Sequence, residues 1–293
     1  MGYSERTFPD RVAGWFDAGW LEPGHRLIDF GAQEFYSSPG PTREALRAFL
    51  RGRGKPDGAI EAALGPSGVP EVGAIYRLLG VDYVAIDVDR AHGAAYFDLN
   101  TFAPPAAWLG TFDFVNNEGT IEHLINPING FHVAHELARP GAVIRHSIPL
   151  SGNQHHGFMY PTLKFFHRLI QANDYELLEG CVSQTPTEDE VLPKGFHATG
   201  DRSSPGRWLH LAYRRTLTRD FVVPYDHLQT PAVHMIAEDL RRQYREYSAT
   251  RLGIDSAPAN PRKKSGAYAL SALRFEAREI AIWLRLRAKR FLP

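Results

Sequence analysis

Seven of the chain's 13 histidines fall between positions 123 and 167, and two of them, His155 and His156, are adjacent. His123 follows Glu122 inside the polar run Asn117-Glu118-Gly119-Thr120-Ile121-Glu122-His123-Leu124. An imidazole changes charge near neutrality and can take the proton of a hydroxyl, so His155, His156 and His123 are the candidate catalytic residues. The same groups, with Glu122 and Asp113, are donor types for a divalent ion. No H-E-x-x-H or comparable ligand spacing occurs, however, and no metal is expected. His132, His135 and His167 fall in helical stretches as packing or surface residues, and His146 falls in a strand as a hydrogen-bonded core residue. The chain lacks a G-x-S-x-G elbow, which counts against serine hydrolase chemistry. Its one cysteine, Cys181, excludes an internal disulfide and a cysteine-based zinc site, and is expected to be a small core residue.

A second group of polar residues follows short apolar runs. Arg26-Leu-Ile-Asp-Phe30 leads into Gly31-Ala32-Gln33, where a glycine permits a tight turn or close approach of a ligand. The run Asp82 to Asp87 ends on an acid that can accept both hydroxyl hydrogen bonds of a ribose, or can serve as a turn cap. The next run ends Phe97-Asp98-Leu99-Asn100, and Phe112-Asp-Phe-Val-Asn-Asn117 opens into Glu118 and the polar run above. Polar groups this dense after an apolar strand point to a lined pocket. G-x-G-x-x-G is absent, so a dinucleotide cradle is not supported.

These residues need a scaffold that brings strand ends together. Strands are predicted at 26–30, 82–87, 94–99, 112–116 and 142–148. Helices are predicted at 42–50, 71–79, 128–137 and 162–173, with residues 51–70 a Gly- and Pro-rich loop. Two later apolar runs, 175–182 and 207–214, add edge strands. Alternating strands and helices imply an α/β fold with a doubly wound, mostly parallel Rossmann-like sheet, whose C-terminal strand ends hold the ligand. Residues 1–220 form this domain. Residues 221–293 form a helical C-terminal extension with a basic tail.

The order Asp-x-Gly, strand-end Asp, Asp-Leu, then Phe-Asp-x-Val and Glu-His-Leu resembles the class I S-adenosylmethionine-dependent methyltransferases over roughly residues 24–180. Within that group, Asn117–Leu124, Leu137–Pro149 and His155–Pro161 are similar to a bacterial small-molecule or sugar-type subgroup. The resemblance implies S-adenosylmethionine as cofactor. Asp29, Gly31, Ala32 and Gln33 would line its methionine part, Asp87 would take the ribose hydroxyls, Asp98 and Leu99 would meet the adenine, and Asn117 and Glu118 would close the site near the sulfonium. The implied reaction is methyl transfer to a small polar acceptor, with a hydroxyl oxygen preferred because of the histidine loop. Gln33 and Phe35 stand where the family loop carries further glycines. That departure keeps a non-catalytic S-adenosylmethionine- or nucleotide-binding protein as an alternative, and a nicotinamide-dependent oxidoreductase as a second.

The 293 residues carry 33 Lys plus Arg against 33 Asp plus Glu, which argues against a whole-molecule nucleic-acid binder. The balance is uneven along the chain. Residues 262–290 hold nine basic residues and two acidic ones, a net of +7, so the rest carries −7. With Ile280, Ile282, Trp283, Leu284, Leu286 and Phe291 interleaved, the helix predicted over 267–292 suits an anionic membrane surface or an acidic partner. It equally suits packing on its own acidic domain or on a symmetry mate in a homo-oligomer. No run approaches the ~20 apolar residues of a membrane span and no secretory signal stands at the start, so a cytoplasmic protein is expected.

Overall fold

A computed structural model of the chain describes residues 2–4, 8–36, 42–65, 70–152, 156–185 and 206–226. In chain order these contain β1 (Gly2–Ser4), α1 (Phe8–Asp17), β2 (Arg26–Phe30), β3 (Glu34–Tyr36), α2 (Thr42–Gly52), α3 (Asp57–Leu64) and α4 (Val72–Leu78). Then follow β4 (Asp82–Asp87), β5 (Ala95–Tyr96), β6 (Phe112–Glu118), α5 (Pro127–Leu137), β7 (Ala138–Ser151), α6 (Leu163–Asn173), β8 (Glu176–Thr185) and β9 (Gly206–Arg214).

Seven strands form one sheet in the order β5-β4-β2-β6-β7-β9-β8, and β9 alone runs antiparallel to its neighbours. The chain winds from β2 outward through β4 to β5, then returns to place β6 on the other side of β2. The order therefore reverses between β2 and β6, the place where an open α/β sheet leaves a crevice beyond its strand ends. β1 and β3 pair parallel in a separate two-stranded sheet.

Both faces of the large sheet are covered, as parallel strands require. Successive residues of β2, Leu27 and Ile28, go to opposite sides. On Leu27's side lie Phe8, Val12 and Trp15 of α1, Leu46 and Leu50 of α2, Ile60 and Leu64 of α3, and Ile75 and Tyr76 of α4. On Ile28's side lie Phe131, Val133 and Leu137 of α5 with Phe166 and Leu169 of α6. Local chemistry sets the helix ends. Asn126 accepts a hydrogen bond from the Asn129 amide and Pro127 opens α5; Thr162 accepts from the Phe165 amide to start α6.

The predicted α/β doubly wound sheet is present, with several differences in detail. The stretch 51–70 holds α3, which Pro56 precedes and whose Ile60 and Leu64 are buried; glycine and proline content concealed one short amphipathic helix. β5 is reduced to two residues. β7 starts at Ala138, four residues before the predicted strand, and runs through Pro140-Gly141, because Ala138 pairs with Phe112 across a shift in register. The run 207–214 is not an edge strand: β9 lies between β7 and β8. Cys181 is exposed on β8, which corrects its expected burial: β8 is the sheet's outermost strand, and Gly180 and Val182 beside it are exposed too. After β9 the chain still packs on the domain, with Phe221 in the core and the Val222 amide donating to Asn173 Oδ1 at 2.8 Å. The expected helical extension beyond 226 and its basic tail lie outside the described residues. Among the described residues, no helix is long and apolar enough to cross a membrane.

Candidate functional site

The loops at the C-terminal ends of β2, β4 and β6 are joined by hydrogen bonds across the switch point. Gly31 continues from β2 with its amide donating to the Ile86 carbonyl at 2.9 Å, and the Ala32 amide donates to Asp87 Oδ2 at 2.7 Å. Gly31 has φ +84°, and a Cβ there would stand 2.6 Å from Thr120 Oγ1, so both backbone and space require glycine. Thr120 Oγ1 donates to the Phe30 carbonyl at 2.6 Å, and Gln33 Nε2 donates to the same carbonyl at 3.0 Å. Gln33 is buried, and its Oε1 has no donor. Asn117 orders the loop after β6 by accepting the amides of Thr120 and Ile121, each at 3.0 Å. Asp98 is exposed and accepts the Asn100 amide, while the buried Leu99 sends its carbonyl to Asn129 Nδ2 at 2.8 Å.

One step below the strand ends a polar row crosses the sheet. Asp29 of β2 is in register with Asn116 of β6, which is in register with Arg145 of β7. Asn116 Nδ2 donates to Asp29 Oδ1 at 2.5 Å, and Arg145 donates to Asn116 Oδ1 at 2.9 Å and to Glu118. Arg11 of α1 reaches the other Glu118 oxygen at 2.5 Å, and the Arg145 guanidinium stacks 4.9 Å from the Trp15 ring. Burial raises the Asp29 carboxyl to about 7, against the hydrogen bonds of Asn116 and Tyr83. Burial also opposes ionisation of Glu118, but the two guanidiniums outweigh it and hold its pKa below the ordinary carboxylate value. On the opposite face His146 lies between the Asn117 amide and the Tyr213 hydroxyl, the core role expected of it.

Beyond Thr120 a single turn of 3-10 helix, Ile121–His123, buries Glu122 fully and leaves His123 half-buried. The segment 156–159 folds back over this turn: the amides of Phe158 and Met159 both donate to the Glu122 carbonyl, at 2.7 and 3.0 Å. A Cβ on Gly157 would lie 2.8 Å from that carbonyl oxygen, so the approach needs glycine. Tyr160 accepts the amides of His156 and Gly157 through its hydroxyl, both at 3.1 Å. The rings of His123 and His156 face each other with centroids 5.1 Å apart, and His156 Nε2 is 3.7 Å from Glu122 Oε1. Burial, then the neighbouring His156, pulls His123 down to about 4. Burial, with some help from Glu118, pushes Glu122 up to about 8.

The structure therefore sorts the sequence candidates into three places. Gly31, Ala32, Gln33, Asp87 and Asn117 share one network at the strand ends, and Asp98 and Leu99 border it. Asp29 and Glu118 face the α1 side of the sheet instead, Glu118 toward Arg11 and Arg145, with Asp29 fully buried. His123 and His156 meet over Glu122, whereas His155 lies outside the described residues. Asp113 stands at the opposite end of β6 paired with Arg139, far along the strand from the histidines. Thr120 and Arg145 were not singled out by sequence. Thr120 sits inside the polar run that drew attention to its neighbours; Arg145, a lone cation in an apolar strand, was a visible signal.

No protein-family model and no curated protein matches the sequence. Solved structures overlap it in part. One is the 1,6-didemethyltoxoflavin-N1-methyltransferase of Burkholderia thailandensis with S-adenosylhomocysteine, at 14% identity over 72% of this chain and 79% of the other, TM-score 0.40. Another is the geranyl diphosphate C-methyltransferase of Streptomyces coelicolor with Mg2+, geranyl diphosphate and S-adenosylhomocysteine, at 10% identity over 70% and 80%, TM-score 0.41. The fold is defined by its own strand order, independently of these partial overlaps.

Proposed function

We propose that this protein transfers a methyl group from S-adenosylmethionine to a small polar acceptor, with a hydroxyl oxygen of a sugar or natural product as the preferred class. The observation that supports this most is the reversal of strand order between β2 and β6. Gly31, Gln33, Asp87 and Asn117, the residues singled out by resemblance, lie on the hydrogen-bonded loops at that reversal, where such a sheet leaves a crevice. The unpartnered Oε1 of Gln33 fits the cofactor, because its amino group is a donor and the first-strand loop is where the methionine part would lie. Asp87 is half-buried and keeps acceptor capacity beyond the two amides it holds, which suits ribose hydroxyls. When bound, the cofactor supplies a methyl group on a positively charged sulfur.

The chain's own residues do the rest. The strand-end loops orient the donor, and positioning the acceptor in line with the S–CH3 bond provides much of the rate. The acceptor's proton leaves at the cluster above Glu122, formed by His123 and His156, with His155 adjacent to His156 in sequence. An acceptor oxygen gains the methyl group as its proton leaves, and the sulfur keeps the electron pair of the broken bond.

Calorimetry with S-adenosylhomocysteine tests the reading. Micromolar binding that disappears in Asp87→Ala is expected, and absence of binding by the wild type overturns it. Binding without any labelled product across a broad acceptor screen would instead favour the non-catalytic alternative, for which the packing of Gln33 and Thr120 over Gly31 is the supporting observation.

A further inference from the structure

Among the described residues, Glu122 is a carboxylate fully buried with both oxygens lacking a hydrogen-bond partner. Protonation does not resolve this, because a neutral carboxyl would carry a hydroxyl hydrogen with no acceptor. The nearest cationic candidate, His156 Nε2, is 3.7 Å away, beyond hydrogen-bond length. His123 Nε2 is also buried without a partner. Each of the three residues offers one donor atom, and these atoms lie within 4.8 Å of one another.

We propose that Glu122, His123 and His156 bind a divalent transition-metal ion of the zinc type, with a coordination position left open. Two imidazoles and one carboxylate form a borderline donor set that suits Zn2+ or Co2+ and does not suit Mg2+ or Ca2+, which prefer all-oxygen shells. Bonds of about 2.1 Å in tetrahedral geometry need donor atoms about 3.4 Å apart, so the side chains close by roughly 1 Å. The cation answers both unpartnered groups at once: the carboxylate gains a counter-charge and the His123 nitrogen gains a partner. The backbone is already shaped for it, since the Phe158 and Met159 amides fasten the His156 segment onto the Glu122 carbonyl. Sequence spacing concealed the set because its third member comes from beyond α5 and β7, on the segment that folds back over Glu122.

Three protein ligands with an open position are the arrangement of a catalytic rather than a structural ion. Resting on the methyl-transfer reading above, the open position would take the acceptor's oxygen. There the cation lowers the hydroxyl's pKa and the proton passes to solvent, so the imidazoles serve as ligands. Metal binding itself does not depend on that reading.

Full-length protein stripped with chelator and dialysed is titrated with Co2+, followed by visible absorbance, and with Zn2+ in calorimetric competition. One equivalent bound with micromolar or tighter affinity is expected, with the visible bands of a nitrogen- and oxygen-ligated ion. His123→Asn and His156→Asn should each weaken binding at least ten-fold, and Glu122→Gln likewise, while His132→Asn, on α5 and ion-paired with Glu136, leaves it unchanged. Circular dichroism shows that each variant is folded; should Glu122→Gln fail to fold, the two histidine variants decide. Absence of saturable binding, or wild-type affinity in both histidine variants, overturns the proposal. S-adenosylhomocysteine binding measured on the same preparations reads the methyltransferase assignment separately.

Discussion

The Ala32 amide donates to Oδ2 of Asp87 at 2.7 Å, so the acid suited to a ribose also fixes the loop after β2. Asp87→Ala removes both functions. S-adenosylhomocysteine affinity should fall at least 30-fold, as loss of charged hydrogen bonds worth about 1.5–3 kcal/mol implies, and the melting temperature should fall with it. Asp87→Asn retains an oxygen for the Ala32 amide, so its melting temperature should stay near wild type while affinity falls about ten-fold. Calorimetry and thermal denaturation on the two variants separate ligand binding from loop anchoring.

Gly31→Ala meets two obstacles, a backbone at φ +84° and Thr120 Oγ1 at 2.6 Å from the new Cβ. Strained backbone of this kind costs about 1–3 kcal/mol, and the contact adds to it. Thr120→Ala alone loses its hydrogen bond to the Phe30 carbonyl, about 1 kcal/mol. In the double variant the contact is relieved while the strain persists, so the two losses should sum to more than the measured loss. Equal additivity in urea denaturation would show that Thr120 does not confine this glycine.

Asp29 carries a pH signature whose sign follows from burial. Its folded pKa of about 7 exceeds the ordinary 3.8, so the folded state binds the proton more tightly. Stability from this group is full below about pH 4 and is lost as pH rises toward 7. Asp29→Asn cannot ionise, and its stability relative to wild type should increase by about 2–3 kcal/mol between pH 5 and pH 8. His135 and His146, both held near 3 chiefly by burial, act in the opposite sense as pH falls below 6.5, but they are common to both proteins and cancel in the comparison.

Arg145 is buried and touches Glu118, Asn116 and the Trp15 ring. Arg145→Met should cost about 3–5 kcal/mol, because it leaves Glu118 with Arg11 alone and the Asn116 carbonyl oxygen without its donor. Adding Glu118→Gln should cost less in the Arg145→Met background than in wild type, a coupling that denaturant unfolding of all four proteins measures.

Much of the fold was legible in local pattern. β2 and β4 were bounded correctly because short β-branched and aromatic runs flanked by turn residues have few alternatives, and α5 and α6 because their apolar spacing and caps agree. α3 was missed because eight residues among glycines and prolines give too short a period to stand out, although Ile60 and Leu64 are held firmly once α2 and α4 are in place. Cys181 misled for a related reason: residue type predicts burial only on average, and β8 is the sheet's edge.

The site divides along the same line. Sequence alone determined that polar residues would crowd the ends of apolar strands, since an acid such as Asp87 or Asp98 seldom interrupts a buried strand. Two decisions belonged to tertiary structure. Strand register chose which face each side chain meets, turning Asp29 and Glu118 inward to Asn116 and Arg145 while Asn117, one residue away, orders the loop outside. Chain return chose the partners of Glu122, because the segment after β7 folds back and sets His156 beside His123. Residue types and their order are local properties of a chain; which of them share a buried, low-dielectric space depends on contacts between distant segments, and that sharing creates both the raised carboxyls and the cluster of Glu122, His123 and His156.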